Sequence, residues 1–414
     1  MHSRWLASSL PDKLGKPFVH VLFGARQTGK TTLLRDLLPD PSLAFNLADP
    51  LERSRLLADA GAFTRACLAL PPSKPPHYVV VDEAQTVPAV FDAVQSLYDT
   101  DKNRWRFVLC GSSARKLRQT GANLLPGRSL QHRLFPLTLA ERPAPDKRPR
   151  GAVSPLPLPF PGGESPAAPF PVAPLQERLA YGDLPGIVLT PEPDRPDLLR
   201  SYALVHLEEE IRREALVKDW GAFLRFLQLA AIESGKVVNF AKIAKDVGIS
   251  PATVKGHYQL LEDMFVGFSV AGFSRSPRKN LTSTPRFHFF DLGVRHAAAG
   301  LTPGPDAVLA DPGRALEQWV GIELWKRLGY LGRGRLHHLR TKDGAEVDYI
   351  VELDRRFIPI EVKWTGHPDR DDARHVIPFL EEQGRAAPMG YVICRCPRPE
   401  QLHERVIALP WHCL

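Results

Sequence analysis

Residues 18–34 constrain the chain more than any other stretch. Apolar residues run to Phe23 and are followed by Gly-Ala-Arg-Gln-Thr-Gly-Lys-Thr and then by Thr-Leu-Leu. Gly24 and Gly29 bracket a turn whose backbone N–H groups must point inward at one anion, a curvature that Cβ atoms would obstruct. The helix opened by Lys30 offers unpaired N–H groups and a favourable dipole to a phosphate. The stretch therefore predicts a strand, a phosphate-binding loop and a helix, rather than a chance glycine-rich turn.

The spacing matches G-x-x-x-x-G-K-[ST] completely. In this pattern Lys30 reaches the β- and γ-phosphates of a nucleotide, and the hydroxyl of Thr31 ligates Mg²⁺. ATP and Mg²⁺ are the expected cofactors. The predicted nucleotide-binding residues are Gly24, Ala25, Arg26, Gln27, Thr28, Gly29, Lys30, Thr31 and Thr32.

Two carboxylates end the apolar run of residues 77–85, His-Tyr-Val-Val-Val-Asp-Glu-Ala-Gln. A fully buried parallel strand presents such acids at its carboxyl edge, where ligands bind. Asp82 is predicted to hold Mg²⁺, and Glu83 to orient or deprotonate the attacking water. An ordinary helix N-cap is the alternative for these acids.

A third strand is predicted at residues 106–110, ending in Gly111 and Ser112. Ser112 is predicted to sense the γ-phosphate or its attacking water, with a cap for a helix at residues 114–118 as the alternative. Gly127 frees the backbone before Arg128. We predict that Arg128 acts on the nucleotide of a neighbouring subunit in a homo-oligomer, although a solvated loop arginine has the same sequence signature.

These motifs, with Gly-Ser-Ser-Ala-Arg at residues 111–115 and Leu-Phe-Pro-Leu-Thr-Leu-Ala-Glu at residues 134–141, resemble a large prokaryotic family of AAA-type P-loop ATPases. Its members carry a C-terminal domain of unknown function. The resemblance is strong over residues 19–141 and more diffuse from residue 181 onward. It implies a RecA-like ATPase core. It indicates the reaction more than the physiological role.

The length of 414 residues favours several domains. No apolar run approaches the ~20 residues that span a bilayer, so no membrane partner is expected. Five cysteines without a C-x-x-C pair indicate neither a disulfide framework nor a zinc site, which fits the cytoplasm. The net charge of +8 is compatible with a polyanionic partner.

The predicted domains are an ATPase domain (1–142), a proline-rich linker or long loop (143–175), a helical, winged-helix domain (176–300) and a nuclease-like domain (301–414). A proline-binding partner could also recognise the linker. Single helices are predicted at residues 51–70 and 198–218.

Residues 237–264 read as helix, turn and helix, with Ser250 as the cap and Pro251 as the first residue of the second helix. Strands at residues 265–273 and 286–290 would form the wing. Thr253, Lys255 and His257 would lie on or beside the exposed face of the second helix and meet DNA. Many winged helices only join domains, and that alternative stays open.

The C-terminal part places Asp348 on one predicted strand and Glu361 and Lys363 on the next, after a helix that carries Glu317. Two acids on neighbouring strands can hold a divalent cation against a phosphate while the lysine stabilises charge. This order resembles the PD-(D/E)xK restriction-endonuclease fold. The predicted metal ligands are Thr31, Asp82, Glu317, Asp348 and Glu361, the last three for a second Mg²⁺ or Mn²⁺.

The expected fold is α/β: a RecA-like, AAA-type P-loop core, a winged-helix middle domain and a restriction-endonuclease-like C-terminal domain. The expected function is Mg²⁺-dependent ATP hydrolysis with action on DNA, and cleavage is left open. A nucleotide-switched protein-interaction module with an inactive nuclease fold is the alternative. A small-molecule P-loop kinase fits poorly because Glu83 follows Asp82.

Overall fold

A computed structural model describes residues 4–59, 61–112, 127–142, 174–213, 217, 219–274, 283–341 and 344–414. The chain divides into two compact units. The N-terminal unit contains Ser3–Phe135 and Asp263–Phe265, and the C-terminal unit contains Pro136–Glu262 and Val266–Leu414. The helix predicted at residues 114–118 and residues 143–173 of the predicted linker lie outside the described residues.

The N-terminal unit alternates strands and helices. Its strands are β1 (Val19–Phe23), β2 (Leu43–Asn46), β3 (His77–Asp82), β4 (Trp105–Gly111) and β5 (Ser129–Arg133). Its helices are α1 (Trp5–Leu14), α2 (Lys30–Leu37), α3 (Pro50–Ala58), α4 (Gly61–Leu68) and α5 (Ala89–Thr100).

The five strands form a parallel sheet in the order β2-β3-β4-β1-β5. Every residue of β1 and β4, including His20 and Arg106, is buried, because both strands lie inside the sheet, where both of its faces are covered. Phe63 and Phe91 from the helices pack on Val79 and Phe107 of the sheet in one core. This mixed α/β unit with a parallel sheet is consistent with the predicted P-loop core.

Two details differ from the prediction in this unit. Residues 51–70 form two helices, because Asp59 ends α3 and its carboxylate accepts the N–H of Gly61 at the start of α4. Strand β3 is not fully buried, since Tyr78, Val80 and Asp82 on one face are only partly covered.

The C-terminal unit begins with helices. They are α6 (Leu175–Tyr181), α7 (Pro185–Leu189), α8 (Arg195–Ser201), α9 (Leu207–Arg213), α10 (Trp220–Ile232), α11 (Phe240–Val247) and α12 (Pro251–Asp263). Between α8 and α9 the backbone widens into a π-helix at Tyr202–His206. The single helix predicted at residues 198–218 is therefore wrong, because the helical stretch already starts at Arg195 and is interrupted by the π-helix.

Strands dominate the rest of this unit. They are β6 (Gly267–Gly272), β7 (Arg286–Phe289), β8 (Arg335–Arg340), β9 (Glu346–Leu353), β10 (Arg356–Val362), β11 (Gly390–Cys394), β12 (Glu400–His403) and β13 (Val406–Pro410). The helices among them are α13 (Leu292–Ala298), α14 (Pro305–Leu309), α15 (Pro312–Leu331) and α16 (Val376–Gln383).

These strands form one sheet in the order β12-β13-β11-β10-β9-β8-β6-β7. Asp354 and Arg355 both have positive φ in the tight turn that joins β9 to β10. The predicted wing strands β6 and β7 pair with each other and, through β6, run parallel to β8. They therefore extend the C-terminal sheet, and the winged helix and the domain boundary at residue 300 stay predictions.

In the part of the chain that the structure describes, no helix combines the length and the apolar character needed to cross a membrane.

Candidate functional site

The loop between β1 and α2 is curled by three positions. Gln27 and Gly29 have φ values of 60° and 90°, in the left-handed region that favours glycine. At Gly24 an added Cβ would lie 2.3 Å from the carbonyl oxygen of Leu134, so only glycine fits there. These constraints give the predicted loop its tight curvature.

Lys30 lies inside this loop, although it is the first residue of α2 and carries a charge. Its ammonium donates to the carbonyl oxygens of Gly24 and Ala25, both at 2.9 Å, and the residue is only 6% exposed. The hydroxyl of Thr28 donates to the same Ala25 carbonyl at 2.9 Å. The loop thus holds a buried positive charge at the N-terminus of a helix, which is suited to binding a phosphate.

Arg4 supports the loop from outside and was not predicted. Its guanidinium donates to the carbonyl oxygen of Thr28 at 2.7 Å and to that of Phe135 at 2.5 Å. Nothing in the sequence around Arg4 indicates this role, because the two contacts join positions that are 24 and 131 residues apart.

The predicted Mg²⁺ ligands meet at one point. The hydroxyl of Thr31 donates to Oδ2 of Asp82 at 2.6 Å, and Oδ1 of Asp82 accepts the N–H of Glu83 at 3.0 Å. A hydroxyl and a carboxylate at this separation are the oxygen donors that Mg²⁺ prefers. Beside them burial and the charge of Asp82 raise the pKa of the Cys110 thiol, so the neighbouring cysteine stays neutral. The residues present fit a bound Mg²⁺.

Glu83 follows β3 in a left-handed conformation, with φ of 53°, that is unusual for a residue other than glycine. Its Oε2 accepts from the amide of Gln85 at 2.5 Å and from the hydroxyl of Ser112 at 3.4 Å. The amide of Gln85 also lies 3.3 Å from Oγ of Ser112. The structure thus brings the predicted base and the predicted sensor together through Gln85.

Gln85 is a further residue of this site that was not predicted, although it lies in the Asp-Glu-Ala-Gln motif. It is 5% exposed. A Cβ at Gly111 would lie 2.2 Å from its Oε1, so the glycine at the end of β4 makes room for it.

Arg128 immediately precedes β5 and pairs with Asp99 of its own chain, with 2.5 Å between Nε and Oδ1. Its side chain is 35% exposed. The role predicted for it on a neighbouring subunit stays a prediction.

A second cluster of predicted site residues lies in the C-terminal unit. Lys363 donates to Oε1 of Glu361 at 2.8 Å, and Oδ2 of Asp348 accepts the N–H of Val362 at 2.9 Å. Asp348 lies on β9 and Glu361 on the adjacent strand β10. The structure therefore places these three residues together, as the order along the chain predicted.

Glu317 of α15 belongs to the same electrostatic cluster. Burial, with the nearby charge of Asp348, raises the pKa of Glu317 to about 8. Burial, with the charge of Glu361, raises the pKa of Asp348 to about 7. Carboxylates this close and this buried repel one another and favour protonation.

A cation from the chain itself reaches this cluster. Nη1 of Arg286 lies 2.9 Å from Oε1 of Glu317, and Nη2 contacts Oε1 of Glu346. Within the described ranges, no group of three or more His, Cys, Asp or Glu side chains has the arrangement of a metal site. The second metal predicted here does not fit the pairing of these side chains.

Comparisons with known proteins match three separate regions of the chain. Residues 16–142 match the family model of an AAA domain. Residues 173–304 and 312–414 match two different domains of unknown function, DUF8612 and DUF4143. The first match supports an AAA-type ATPase domain and nucleotide binding, as predicted, and implies ATP and Mg²⁺ as its ligands.

The matching relatives carry no assigned function. Uncharacterized proteins Rv2008c of Mycobacterium tuberculosis and Mb2031c of Mycobacterium bovis are each 25% identical over 370 residues, which cover 87% of this chain and 74% of the relative. An uncharacterized protein of Haemophilus influenzae is 25% identical over 364 residues, covering 83% of this chain and 82% of its own.

Among solved structures, the crystal structure of protein VC1899 from Vibrio cholerae aligns over 92% of this chain and 89% of its own, with 14% identity. The TM-score of 0.18 is too low to support any argument about fold.

Proposed function

We propose that the protein binds ATP and hydrolyses it with Mg²⁺ in the N-terminal unit. The observation that carries this proposal is the 2.6 Å contact between Thr31 and Asp82 beside the loop that encloses Lys30. It joins the two halves of the predicted site, which are 51 residues apart in the sequence, at one edge of the parallel sheet.

Each residue of the site has its own proposed role. The loop N–H groups and Lys30 bind and orient the phosphates, while Thr31 and Asp82 would hold Mg²⁺, which neutralises charge on the β- and γ-oxygens when bound. Glu83 takes a proton from the attacking water, and Gln85 and Ser112 position its carboxylate. Arg128 is proposed to act on the nucleotide of a second copy.

The test is ATP turnover by Glu83→Gln, which keeps the shape of the side chain and removes its basicity. We expect a loss of about 10²-fold or more in kcat, with ATP binding retained. Thr100→Ala, on the exposed end of α5, is the matched control and should turn over ATP like the parent. Undiminished turnover by Glu83→Gln would contradict the proposed base and favour a kinase.

We propose further that the C-terminal unit acts on DNA. Support comes from α11 and α12, where Lys242, Lys245, Thr253 and Lys255 are exposed. His257 is less suited than predicted, because its ring packs 4.9 Å from that of Phe223 and is half-buried.

DNA action is tested by binding of the full chain to a duplex at two salt concentrations. Lys255→Ala should weaken binding and reduce the slope of log K against log salt by about one, whereas Lys102→Ala in the N-terminal unit should change neither. Binding that is indifferent to salt would contradict a DNA role.

A groove in the C-terminal unit favours the alternative of a nucleotide-switched protein-interaction module. It has a volume of about 290 Å³ and is lined by Leu204 and Leu301, which are 51% and 44% exposed. Apolar side chains this exposed are typical of protein-binding surfaces. ATP turnover that does not respond to DNA at either salt concentration would favour this alternative.

A further inference from the structure

We propose that Arg286 is the resident cation of the acid cluster in the C-terminal unit, so that its guanidinium occupies the place that a divalent metal would need. The proposal concerns a site separate from the nucleotide loop and holds whether or not the protein hydrolyses ATP. It predicts that Glu317, Glu346, Asp348 and Glu361 bind no metal ion while Arg286 is present.

The guanidinium bridges two elements. Nη1 lies 2.9 Å from Oε1 of Glu317 on α15, and Nη2 contacts Oε1 of Glu346 at the start of β9. Nη1 also lies 3.5 Å from the carbonyl oxygen of Asp348. A guanidinium is planar, always charged and able to bind two carboxylates at once, which a lysine or histidine cannot do equally well.

The other two acids already have partners as well. Asp348 accepts the N–H of Val362, and Glu361 accepts from Lys363. Among the oxygens of this cluster, Oε2 of Glu361 is buried without a hydrogen-bond partner. Mg²⁺ keeps several of its waters but still needs one or two carboxylates, so it would have to compete with these hydrogen bonds and with the guanidinium for the acids.

The backbone fixes Arg286 in this position. Strand β7 pairs antiparallel with β6, where Arg286 is opposite Val270, and on its other side Arg286 forms a bridge with Val237. The side chain is only 4% exposed. These pairings fix the backbone of Arg286, and burial of the side chain limits the rotations by which the guanidinium could leave the cluster.

A lack of access from solvent is not what keeps a metal ion from the acids. A cavity of about 510 Å³ lies beside Arg286 and is lined by Glu317, Glu346, Arg314 and Arg340. A solvated ion could enter it. The charge of Arg286 would repel a divalent cation at a few ångströms, and this repulsion is strong in a poorly solvated site.

The test counts divalent cations bound to the full chain. Thr31→Ala with Asp82→Asn removes the proposed Mg²⁺ ligands of the N-terminal unit, and Mn²⁺ binding is then followed by electron paramagnetic resonance without nucleotide. With Arg286 intact we expect no bound Mn²⁺ at submillimolar concentration. Adding Arg286→Met should create one Mn²⁺ site. Mn²⁺ should bind there about tenfold or more tighter than to the protein with Arg286 intact, because a charge-assisted pair contributes roughly that factor.

Arg286→Lys and Arg314→Met are the matched controls. The first keeps the charge at the same place, and the second removes an arginine that lines the same cavity but donates to the carbonyl oxygens of Ile232 and Ser234. Neither should gain a Mn²⁺ site. A gain with Arg314→Met as large as with Arg286→Met would overturn the specific role of Arg286.

A second comparison decides the matter even if Arg286→Met does not fold, as judged by circular dichroism. Asp348→Asn is placed in the Thr31→Ala, Asp82→Asn protein with Arg286 intact. Equal and negligible Mn²⁺ binding before and after this change supports the proposal. One Mn²⁺ bound before the change and lost after it would refute the proposal.

Discussion

At the scale of single residues, the carboxylate of Glu83 is held by neighbours rather than left free. The left-handed backbone at Glu83 points its side chain toward Gln85 and Ser112, at 2.5 Å and 3.4 Å. A conformation that costs of order 1–3 kcal/mol persists only where its surroundings enforce it. The contacts made by Gln85 are therefore expected to matter for turnover and not for folding alone.

Gln85→Ala should lower kcat for ATP by about tenfold to a hundredfold with little change in KM. The substitution removes the donor that orients Glu83 and leaves the phosphate loop intact. Steady-state ATP hydrolysis measures both constants. Gln131→Ala, at an exposed position of β5, is the control. A rise in KM with unchanged kcat would assign Gln85 to nucleotide binding instead.

At the scale of secondary structure elements, α15 packs closely against β9 in the C-terminal unit. Gly321, in the middle of this helix, faces Tyr349 of β9 so closely that a Cβ would lie 2.4 Å from the hydroxyl oxygen. That hydroxyl donates to the carbonyl oxygen of Glu317 at 3.0 Å. The helix and the strand that carry the predicted acids are thus packed through one glycine.

Gly321→Ala should reduce the free energy of unfolding by about 1–3 kcal/mol, because the added methyl overpacks the contact with Tyr349. Gly313→Ala is the matched control in the same helix, since its Cβ would have only Trp364 within 4.0 Å. Denaturant unfolding of both variants measures the difference. Equal stabilities would show that the helix can shift away from β9 without cost.

Asp183 connects α6, α15 and Arg142. Its Oδ1 pairs with Arg178 at 2.9 Å and with Arg142 at 3.0 Å, and its Oδ2 lies 3.3 Å from Lys326. Burial alone would raise the pKa of Asp183, but the charges of these three cations outweigh it and hold that pKa well below its ordinary value. The ionised form is therefore the one that stabilises the fold.

Asp183→Asn should cost about 3–5 kcal/mol at neutral pH, because it leaves buried cations uncompensated. The difference from the parent is fully present above the unfolded-chain pKa of about 3.9 and shrinks as the pH falls below it. Unfolding of both proteins across pH measures this. Asp197→Asn, at a side chain that is 81% exposed, is the control. A difference that grew at acid pH would contradict the assigned pKa direction.

At the scale of the whole molecule, the AAA family match and the compact units divide the chain at different points. The match extends to residue 142, whereas the C-terminal unit begins at Pro136. Residues 136–142 are tied into that unit: Leu139 donates to Glu323 at 2.9 Å and Lys326 donates to the carbonyl oxygen of Leu137 at 2.7 Å. A boundary drawn from the match alone would separate this segment from its partners.

A fragment of residues 136–414 should therefore be more stable than one of residues 143–414. Removing the segment exposes the pockets of Leu137 and Leu139, each worth about 1.5–3 kcal/mol, and takes away the hydrogen bond from the N–H of Leu139 to Glu323. Thermal melts of the two fragments measure the difference. A fragment of residues 127–414 should resemble that of 136–414. Equal melting of all three would contradict the assignment of the segment to the C-terminal unit.

The sequence by itself determined the phosphate loop, the acids after β3 and the order of strands that carry Asp348 and Glu361. These features depend on local backbone demands and on side chains spaced along single elements, which residue type reveals directly. The break at Asp59 also has a local cause, although the pattern of residues 51–70 predicts a single helix.

Only the tertiary structure showed the contacts of Arg4, Gln85 and Arg286. Each acts through a partner that the chain brings close by folding, such as Phe135 for Arg4 or Glu317 for Arg286, and long side chains leave no periodic signal. The same holds for the joining of β6 and β7 to the C-terminal sheet, because strand pairing is a contact between distant segments.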